Sequence, residues 1–154
     1  MNPKHRLEKT ARHKTSPEET AYLDLVRTTE MLSRPLAQLL KGEELSAPQY
    51  NVLRILRGAP DGLTCGEIAD RMITRDPDIT RLLDRLEKHK QISRARSEQD
   101  RRVVLTHITP TGLELLDRLD EPVRVTHGRL LGHLGARRLA ALAELLAVCR
   151  GQRE

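Results

Sequence analysis

The chain's 154 residues are enough for one domain or one intimate module, and 27 Lys and Arg against 22 Asp and Glu leave a mild formal net charge of +5. No apolar run approaches the ~18 residues of a membrane span and the polar N-terminus has no signal-peptide core, so we expect a soluble, cytoplasmic protein. With only two Tyr and no Phe or Trp, the chain lacks the aromatic platforms on which single-stranded nucleic acids stack.

The N-terminal part divides into a tail and a helix. Basic residues outnumber acidic ones in residues 1–15, which predicts a disordered basic tail that can contact phosphates. Ser16, followed by a proline and two glutamates, is a good N-cap. The helix that it begins should run to about Lys41, with a kink or break at Pro35. We assign residues 16–45 to this N-terminal helix.

Two shorter helices are predicted next. The first runs from Ser46 to Arg57, where Gly58 closes it. Thr64 and Glu67 then have the spacing of a capping box, in which each side chain satisfies a backbone amide of the other residue. A short third helix therefore begins here, and a break of a few residues follows it.

The following segment predicts an amphipathic helix with a charged outer face. Asp76 is a good N-cap and Pro77 suits the first helical position, so we start the helix at Pro77 and find no breaker before Lys90. At 3.6-residue spacing one face carries the apolar residues Ile79, Leu82, Leu83 and Leu86, and the opposite face carries Arg81, Asp84, Arg85 and Lys88. One side packs and the other faces outward.

A charged hairpin follows this helix. Ile92–Arg96 and Arg102–Ile108 are rich in β-branched residues and predict two paired strands around the polar tip 97–101. Two short helices joined by a turn and followed by a hairpin make a winged helix-turn-helix, whose second helix can enter the major groove of duplex DNA. The alternative is that these charges form only a solvated face. Seven basic against three acidic residues from Arg85 to Arg102 favour DNA.

Base contacts should come from the start of the predicted recognition helix, and the residues available there are Arg75, Asp78, Thr80 and Arg81. Arg81 can bind guanine O6 and N7 together, whereas Asp78 can only accept from an amino group such as cytosine N4. An acid in the first turn is also favoured by the helix dipole alone, so a structural role for Asp78 stays open. Arg85 and Lys88 lie further along and are expected to contact phosphates.

The hairpin tip offers a second contact. Asp100 and Arg102 are two residues apart at the predicted strand edge and therefore project to the same side, where the carboxylate can steady the guanidinium. The alternative is an ordinary surface ion pair, which contributes at most ~1 kcal/mol.

The C-terminal part is predicted to be helical and unusually apolar. Thr109 caps a long helix that starts at Pro110 and should bend at Pro122, and Ala136–Cys149 forms the last helix. Together with the first helix, these segments carry more apolar side chains than a small winged helix can cover. They either bind a partner or close a monomeric core.

Three motifs resemble the MarR-type regulators, a winged-helix family named for multiple antibiotic resistance. Asp100-Arg101-Arg102, a strand, and then Ile108-Thr109-Pro110-Thr111-Gly112 resemble the family's D-R-R, strand, L-T-x-x-G pattern. Leu45–Leu53 and Asp84–Glu87 resemble the entry into its second helix and the end of its recognition helix. Where the family has Gly-Leu before the hairpin, this chain has Lys90-Gln91. A Lys there costs on the order of 1 kcal/mol or changes the helix end.

The resemblance implies a transcriptional regulator and not an enzyme. In the family the wing aspartate orients an arginine in the minor groove, a role that falls here to Arg102, with Arg101 on the DNA backbone. The first and last two helices interlock two subunits, so a homodimer on a pseudo-palindromic operator is expected. Family members are usually repressors, released by a small aromatic or phenolic effector bound between the dimer helices and the winged helix.

The predicted fold is therefore mainly α with a small β-hairpin wing (α+β). A winged helix-turn-helix DNA-binding domain, residues 46–109, lies between the N-terminal dimerisation helix and C-terminal dimerisation helices at 110–150. We find no catalytic constellation, and no cofactor is expected apart from a possible small-molecule effector.

Two functional alternatives remain open. The fold could serve as a winged-helix protein-interaction module, or Cys65, near a helix start, could make the regulator a thiol-based redox sensor. Cys149 is expected to be buried at the dimer interface. His127 and His133 are six residues apart, which is off the i, i+4 spacing that places two metal ligands on one helical face.

Overall fold

The computed structural model describes residues 15–151, so almost all of the predicted basic tail, residues 1–15, lies outside the described residues. Its elements follow in the order α1 (Pro17–Lys41), α2 (Ala47–Arg57), α3 (Cys65–Arg71), α4 (Ile79–Lys88), β1 (Ile92–Arg96), β2 (Val104–Ile108), α5 (Pro110–Leu131), a 3₁₀ turn (Gly132–Leu134) and α6 (Gly135–Cys149). The predicted class, mainly α with a small hairpin, is confirmed. None of the described helices is both long and apolar enough to cross a membrane.

The chain divides into two units, one ending at Ser33 and the other beginning at Arg34. In the first unit the Ser16 hydroxyl accepts a hydrogen bond from the Glu19 amide at 3.1 Å, which is the predicted helix cap. The helix continues through Pro35, so the predicted break does not occur there. Large apolar side chains on this helix are exposed, namely Tyr22, Leu23, Leu25, Val26 and Met31.

The second unit contains the hydrophobic core, and α2 supplies its centre. Val52, Leu53 and Leu56 are fully buried there. Around them pack residues from the other elements, including Ile68, Leu83, Leu86, Ile92, Leu115, Leu116 and Leu119. The predicted capping box of α3 at Thr64 is confirmed. Ser46, the predicted start of α2, forms a complete capping box of its own with Gln49. The core therefore joins the helix-turn-helix to α5.

The two strands pair antiparallel, with Ile92 opposite Ile108 and Arg96 opposite Val104. A third segment joins this hairpin, because Leu63 exchanges two backbone hydrogen bonds of 3.0 and 2.8 Å with Thr106. Both residues are buried, so the wing is attached to the unit at its base.

The recognition helix starts later than the predicted Pro77. The Asp78 carboxylate accepts from the Arg81 amide at 3.2 Å and so caps α4, which begins at Ile79. Asp76 instead accepts from the Asp78 amide at 2.8 Å, two residues on, which closes a turn before the helix. The prediction chose the wrong aspartate, because an aspartate at either position can cap a helix or close a turn.

The second strand is also shorter than predicted. It begins at Val104 and not at Arg102, since the Val103 amide donates to the Asp100 carbonyl at 2.9 Å and closes a turn. Arg101 and Arg102 therefore belong to the tip of the wing. A tight turn and a strand pairing compete for the same backbone amides, and here the Val103 amide donates within the turn.

Lys90 holds the left-handed conformation that glycine normally supplies after a helix, with φ at 57°. Its amide donates to the Glu87 carbonyl at 2.8 Å, and the next amide, of Gln91, donates to the Leu86 carbonyl at 3.0 Å. These two bonds form a Schellman motif. The helix therefore ends as it would with glycine, and the Lys90 backbone is strained because its Cβ is unfavourable in the left-handed conformation.

Lys90→Gly should therefore raise the free energy of unfolding by up to ~1 kcal/mol, because glycine removes the left-handed strain. The gain is partly offset by the larger entropy of glycine in the unfolded chain. Urea denaturation measures it, with Lys90→Ala as the control that removes the charge and keeps the Cβ. An equal gain in both variants would contradict backbone strain as the cause.

Candidate nucleic-acid interface

All nine predicted contact residues are exposed, and they are Arg75, Asp78, Thr80, Arg81, Arg85, Lys88, Asp100, Arg101 and Arg102. Asp78, Arg81 and Arg85 are brought together, since they line one depression of about 160 Å³ at the start of α4. One oxygen of Asp78 caps the helix there, which gives this carboxylate a structural role. The arginines of the same depression present their charge outward.

The wing tip differs from the predicted arrangement of Asp100 and Arg102. The Asp100 carboxylate accepts from the backbone amide of Arg102 at 2.9 Å, and it does not hold the guanidinium. Both residues lie in the turn, so the strand-edge geometry assumed from the spacing is wrong. Within residues 15–151, no carboxylate forms a salt bridge with Arg102. The acid thus fixes the backbone and leaves the arginine side chain available.

Two further contacts stiffen the tip, and the sequence interpretation missed both. The Arg96 guanidinium donates to the Arg101 carbonyl at 3.0 Å, across the mouth of the hairpin. The Ser97 hydroxyl accepts from the amides of Gln99 and Asp100 at 3.2 and 3.4 Å. The tip is therefore ordered by local hydrogen bonds although its side chains are exposed.

Arg94 connects the wing to the recognition helix. Its guanidinium donates to Asp84 Oδ1 at 2.6 Å and to Glu87 Oε2 at 3.0 Å from Nε. The hydrogen bond from Arg94 is the main reason that the pKa of Glu87 lies below its ordinary value of 4.5. Asp84 was predicted on the charged outer face of the helix and Glu87 only within a family motif, and the bond of either residue to Arg94 was not predicted. The signal that could have found the bridge was two acids on one helical face, followed closely by a basic strand residue.

A mostly apolar cavity of about 280 Å³ lies in the second unit. Its wall is formed by Leu36, Ala47, Pro48, Tyr50, Asn51, Arg54, Ile73, Thr74 and His127. The Arg54 guanidinium lies 5.9 Å from the centre of the Tyr50 ring, and burial raises the pKa of the Tyr50 hydroxyl. Ile73 and Thr74 belong to the turn that precedes α4, so the cavity borders the helix-turn-helix.

Comparison with known proteins identifies the family. A sequence model of the MarR family matches residues 45–104. A MarR transcription factor from Planctomyces limnophilus, known from its crystal structure, is 43% identical, and the match covers 86% of this chain and 97% of that one with a TM-score of 0.67. The chain belongs to the MarR family. Its members regulate transcription and are not enzymes.

Two more distant relatives of this MarR-family chain extend the comparison. The transcriptional regulator PecS from Dickeya dadantii is 31% identical over 99 residues, and the match spans 63% of this chain but only 60% of PecS. A mutant MarR from E. coli in complex with operator DNA is 26% identical, with 82% of this chain and 91% of that chain covered and a TM-score of 0.74.

The two cysteines of this MarR-family chain lie in different settings. Cys65, in the first turn of α3, is half-buried and packs against the core, whereas Cys149 is exposed at the end of α6. His127 lies in α5 and His133 in the 3₁₀ turn. In the part of the chain that the structure describes, no three His, Cys, Asp or Glu residues are grouped so that they could hold a metal ion.

The bond from Arg94 to Glu87 predicts an acid-sensitive wing. The folded pKa of Glu87 is lowered, so this bond adds stability that is complete above pH 4.5 and is lost as the pH falls through the folded pKa. Glu87→Gln should flatten the decline of the denaturation midpoint below pH 4.5. Arg94→Gln should flatten it as well, because it removes the same bond together with the bond to Asp84, and the double variant should behave like Arg94→Gln alone. Additive effects of the two changes would show that the residues act separately.

Proposed function

We propose that this protein is a sequence-specific duplex-DNA-binding repressor that acts as a homodimer on a pseudo-palindromic operator and is released by a small molecule. The carrying observation is the wing tip, where Asp100 fixes the backbone of Arg102 and leaves the guanidinium unpaired within the described residues. A rigid loop that ends in a free guanidinium suits the narrow, negative minor groove. The E. coli relative bound to operator DNA supports the same assignment.

On the recognition helix the proposal assigns base contacts to Arg75, Thr80 and Arg81 and phosphate contacts to Arg85 and Lys88. Asp78 is assigned to the base edges as well, through the carboxylate oxygen that does not cap α4. A guanidinium that binds guanine bidentately discriminates by about 1–3 kcal/mol, so Arg81 would contribute most of the specificity of this helix. Arg101 is assigned to the DNA backbone beside the wing.

Exposed apolar side chains support the homodimer. Tyr22 in α1 is 66% exposed, and in α6 Leu145 is 64% and Val148 55% exposed. Helical faces of this kind are usually covered by a partner, and a second copy buries the same patch on both subunits. Two-fold symmetry would then place the two recognition helices about 34 Å apart, one turn of DNA.

The cavity beside the turn supports a small effector. A volume of about 280 Å³ with a mostly apolar wall suits a single aromatic ring, and Arg54 and His127 offer polar partners for a phenolic oxygen. Because Ile73 and Thr74 form part of this wall, an occupant would contact the segment that leads into α4. Salicylate is a suitable first probe, with release of bound DNA as the readout.

The decisive experiment selects bound duplexes from a random library at ~150 mM salt, near physiological ionic strength. We expect wild type to enrich a pseudo-palindrome and Arg102→Ala to enrich it less. Sedimentation of the complex would give two chains per duplex. Failure of a folded dimer to enrich any sequence would favour the alternative, a winged-helix module that binds protein.

A further inference from the structure

The segment between α3 and α4, residues 72–78, sets where the recognition helix begins. It carries Arg75 and ends at Asp78, the cap of α4. The hydrogen bonds that the Asp76 and Asp78 carboxylates accept are local and determine only the shape of the segment. They do not attach the segment to the rest of the unit.

Asn51 provides that attachment. Its side-chain oxygen accepts from the Ile73 backbone amide at 2.8 Å, across 22 positions of sequence. Among the described residues this is the one hydrogen bond between the segment and an element other than the helices that it joins. The neighbours of Asn51 in α2, Val52 and Leu53, are fully buried. The acceptor therefore lies on the helix that supplies the centre of the core.

Apolar packing holds the residues on either side of the turn but not the side chain of Ile73. Met72 and Ile79 are partly buried against the core, whereas the Ile73 side chain is 80% exposed. A loop held at both ends can still shift between them unless a specific bond fixes it. The position of the turn thus depends on the bond between Asn51 and Ile73.

We propose that Asn51 is a positioning residue for sequence recognition. By holding the turn at Ile73 it sets the position from which α4 presents Arg81 to the bases. Contacts to base edges need positions correct to about 0.5 Å, whereas phosphate contacts tolerate movement. The inference rests on the proposed function, and it concerns specificity more than overall affinity.

Asn51→Leu tests the proposal, because leucine has nearly the same size and no acceptor. We expect the affinity for the selected operator to fall about fivefold, the change that corresponds to one lost hydrogen bond. The affinity for an unrelated duplex at low salt should stay unchanged, since the phosphate contacts remain. The ratio of the two affinities therefore falls. A loss of stability alone would lower the active fraction and leave this ratio unchanged.

Two variants serve as controls. Asn51→Asp keeps an acceptor at the same position. Its ratio of operator affinity to unrelated-duplex affinity should therefore fall less than that of Asn51→Leu. Ser46→Ala removes the cap of the same helix and costs ~1 kcal/mol of stability without touching the turn, so its ratio should equal that of wild type.

Amide hydrogen exchange provides a second measurement, which uses wild type alone. The Ile73 amide should be protected although its side chain is exposed. An Ile73 amide that exchanges as fast as an unbonded one would overturn the proposal, and so would an unchanged ratio in Asn51→Leu. If wild type prefers no duplex over another, the proposed function itself fails. If wild type is sequence-specific and the affinity ratio of Asn51→Leu is unchanged, only the role proposed for Asn51 fails.

Discussion

Arg102→Ala is expected to lower the affinity for operator DNA by about 5- to 150-fold, which corresponds to the loss of a base-reading arginine worth about 1–3 kcal/mol. The melting temperature should not change. Alanine keeps the backbone amide that donates to Asp100, and the side chain that is removed is exposed and forms no salt bridge within the described residues. Fluorescence anisotropy with the selected duplex measures the affinity, and thermal unfolding measures the stability.

The matched control is Arg137→Ala, which removes the same charge from an exposed position in α6. It should change the affinity little, because a single charge remote from the contacts is screened at ~150 mM salt. Unchanged affinity in a stable Arg102→Ala would exclude the minor-groove role. An equal loss in both variants would mean that net charge, and not the position of the wing, governs binding.

Gly112→Ala should lower the free energy of unfolding by about 1–3 kcal/mol, the usual cost of forcing a methyl group into a filled site. A Cβ at this position would lie 2.3 Å from the Gln91 carbonyl oxygen and 2.8 Å from Cγ1 of Ile108. The Gln91 carbonyl cannot simply turn away, because it accepts from the Thr109 amide at 3.1 Å. The substitution therefore strains the point where the hairpin meets α5. Urea denaturation measures the loss.

Gly128→Ala is the control, since it makes the same change within the same helix. A Cβ there meets nothing within 4 Å, so alanine should stabilise the helix by up to ~1 kcal/mol through its higher helix propensity. The two substitutions should thus have opposite signs. A neutral or stabilising Gly112→Ala would show that the contact with Gln91 relaxes without cost.

Local hydrogen bonds explain why much of the fold could be predicted. The caps at Ser46, Thr64 and Thr109 each join a side chain to an amide three residues on, so the residue type and its spacing are sufficient. The first strand, Ile92–Arg96, was predicted with its observed bounds because the polar tip at 97–101 marks its end. The exposure of Arg81, Arg85 and Lys88 followed from the helical periodicity of α4.

Choices between equivalent local bonds could not be predicted in this way. Asp76 and Asp78 are both suitable caps, and the structure uses the second because its carboxylate meets the Arg81 amide. Asp100 could hold either the side chain or the amide of Arg102, and it holds the amide. In each case the sequence contains two solutions of similar energy, and packing selects one of them.

The sequence by itself determined the family, the helix caps and the charged outer face, because each depends on residues a few positions apart. Only the tertiary structure decided which distant groups meet. Asn51 reaches Ile73, Leu63 pairs with Thr106, and Arg94 joins the wing to α4. These contacts connect separate elements, and their partners depend on how the elements pack around the α2 core, which no local pattern specifies.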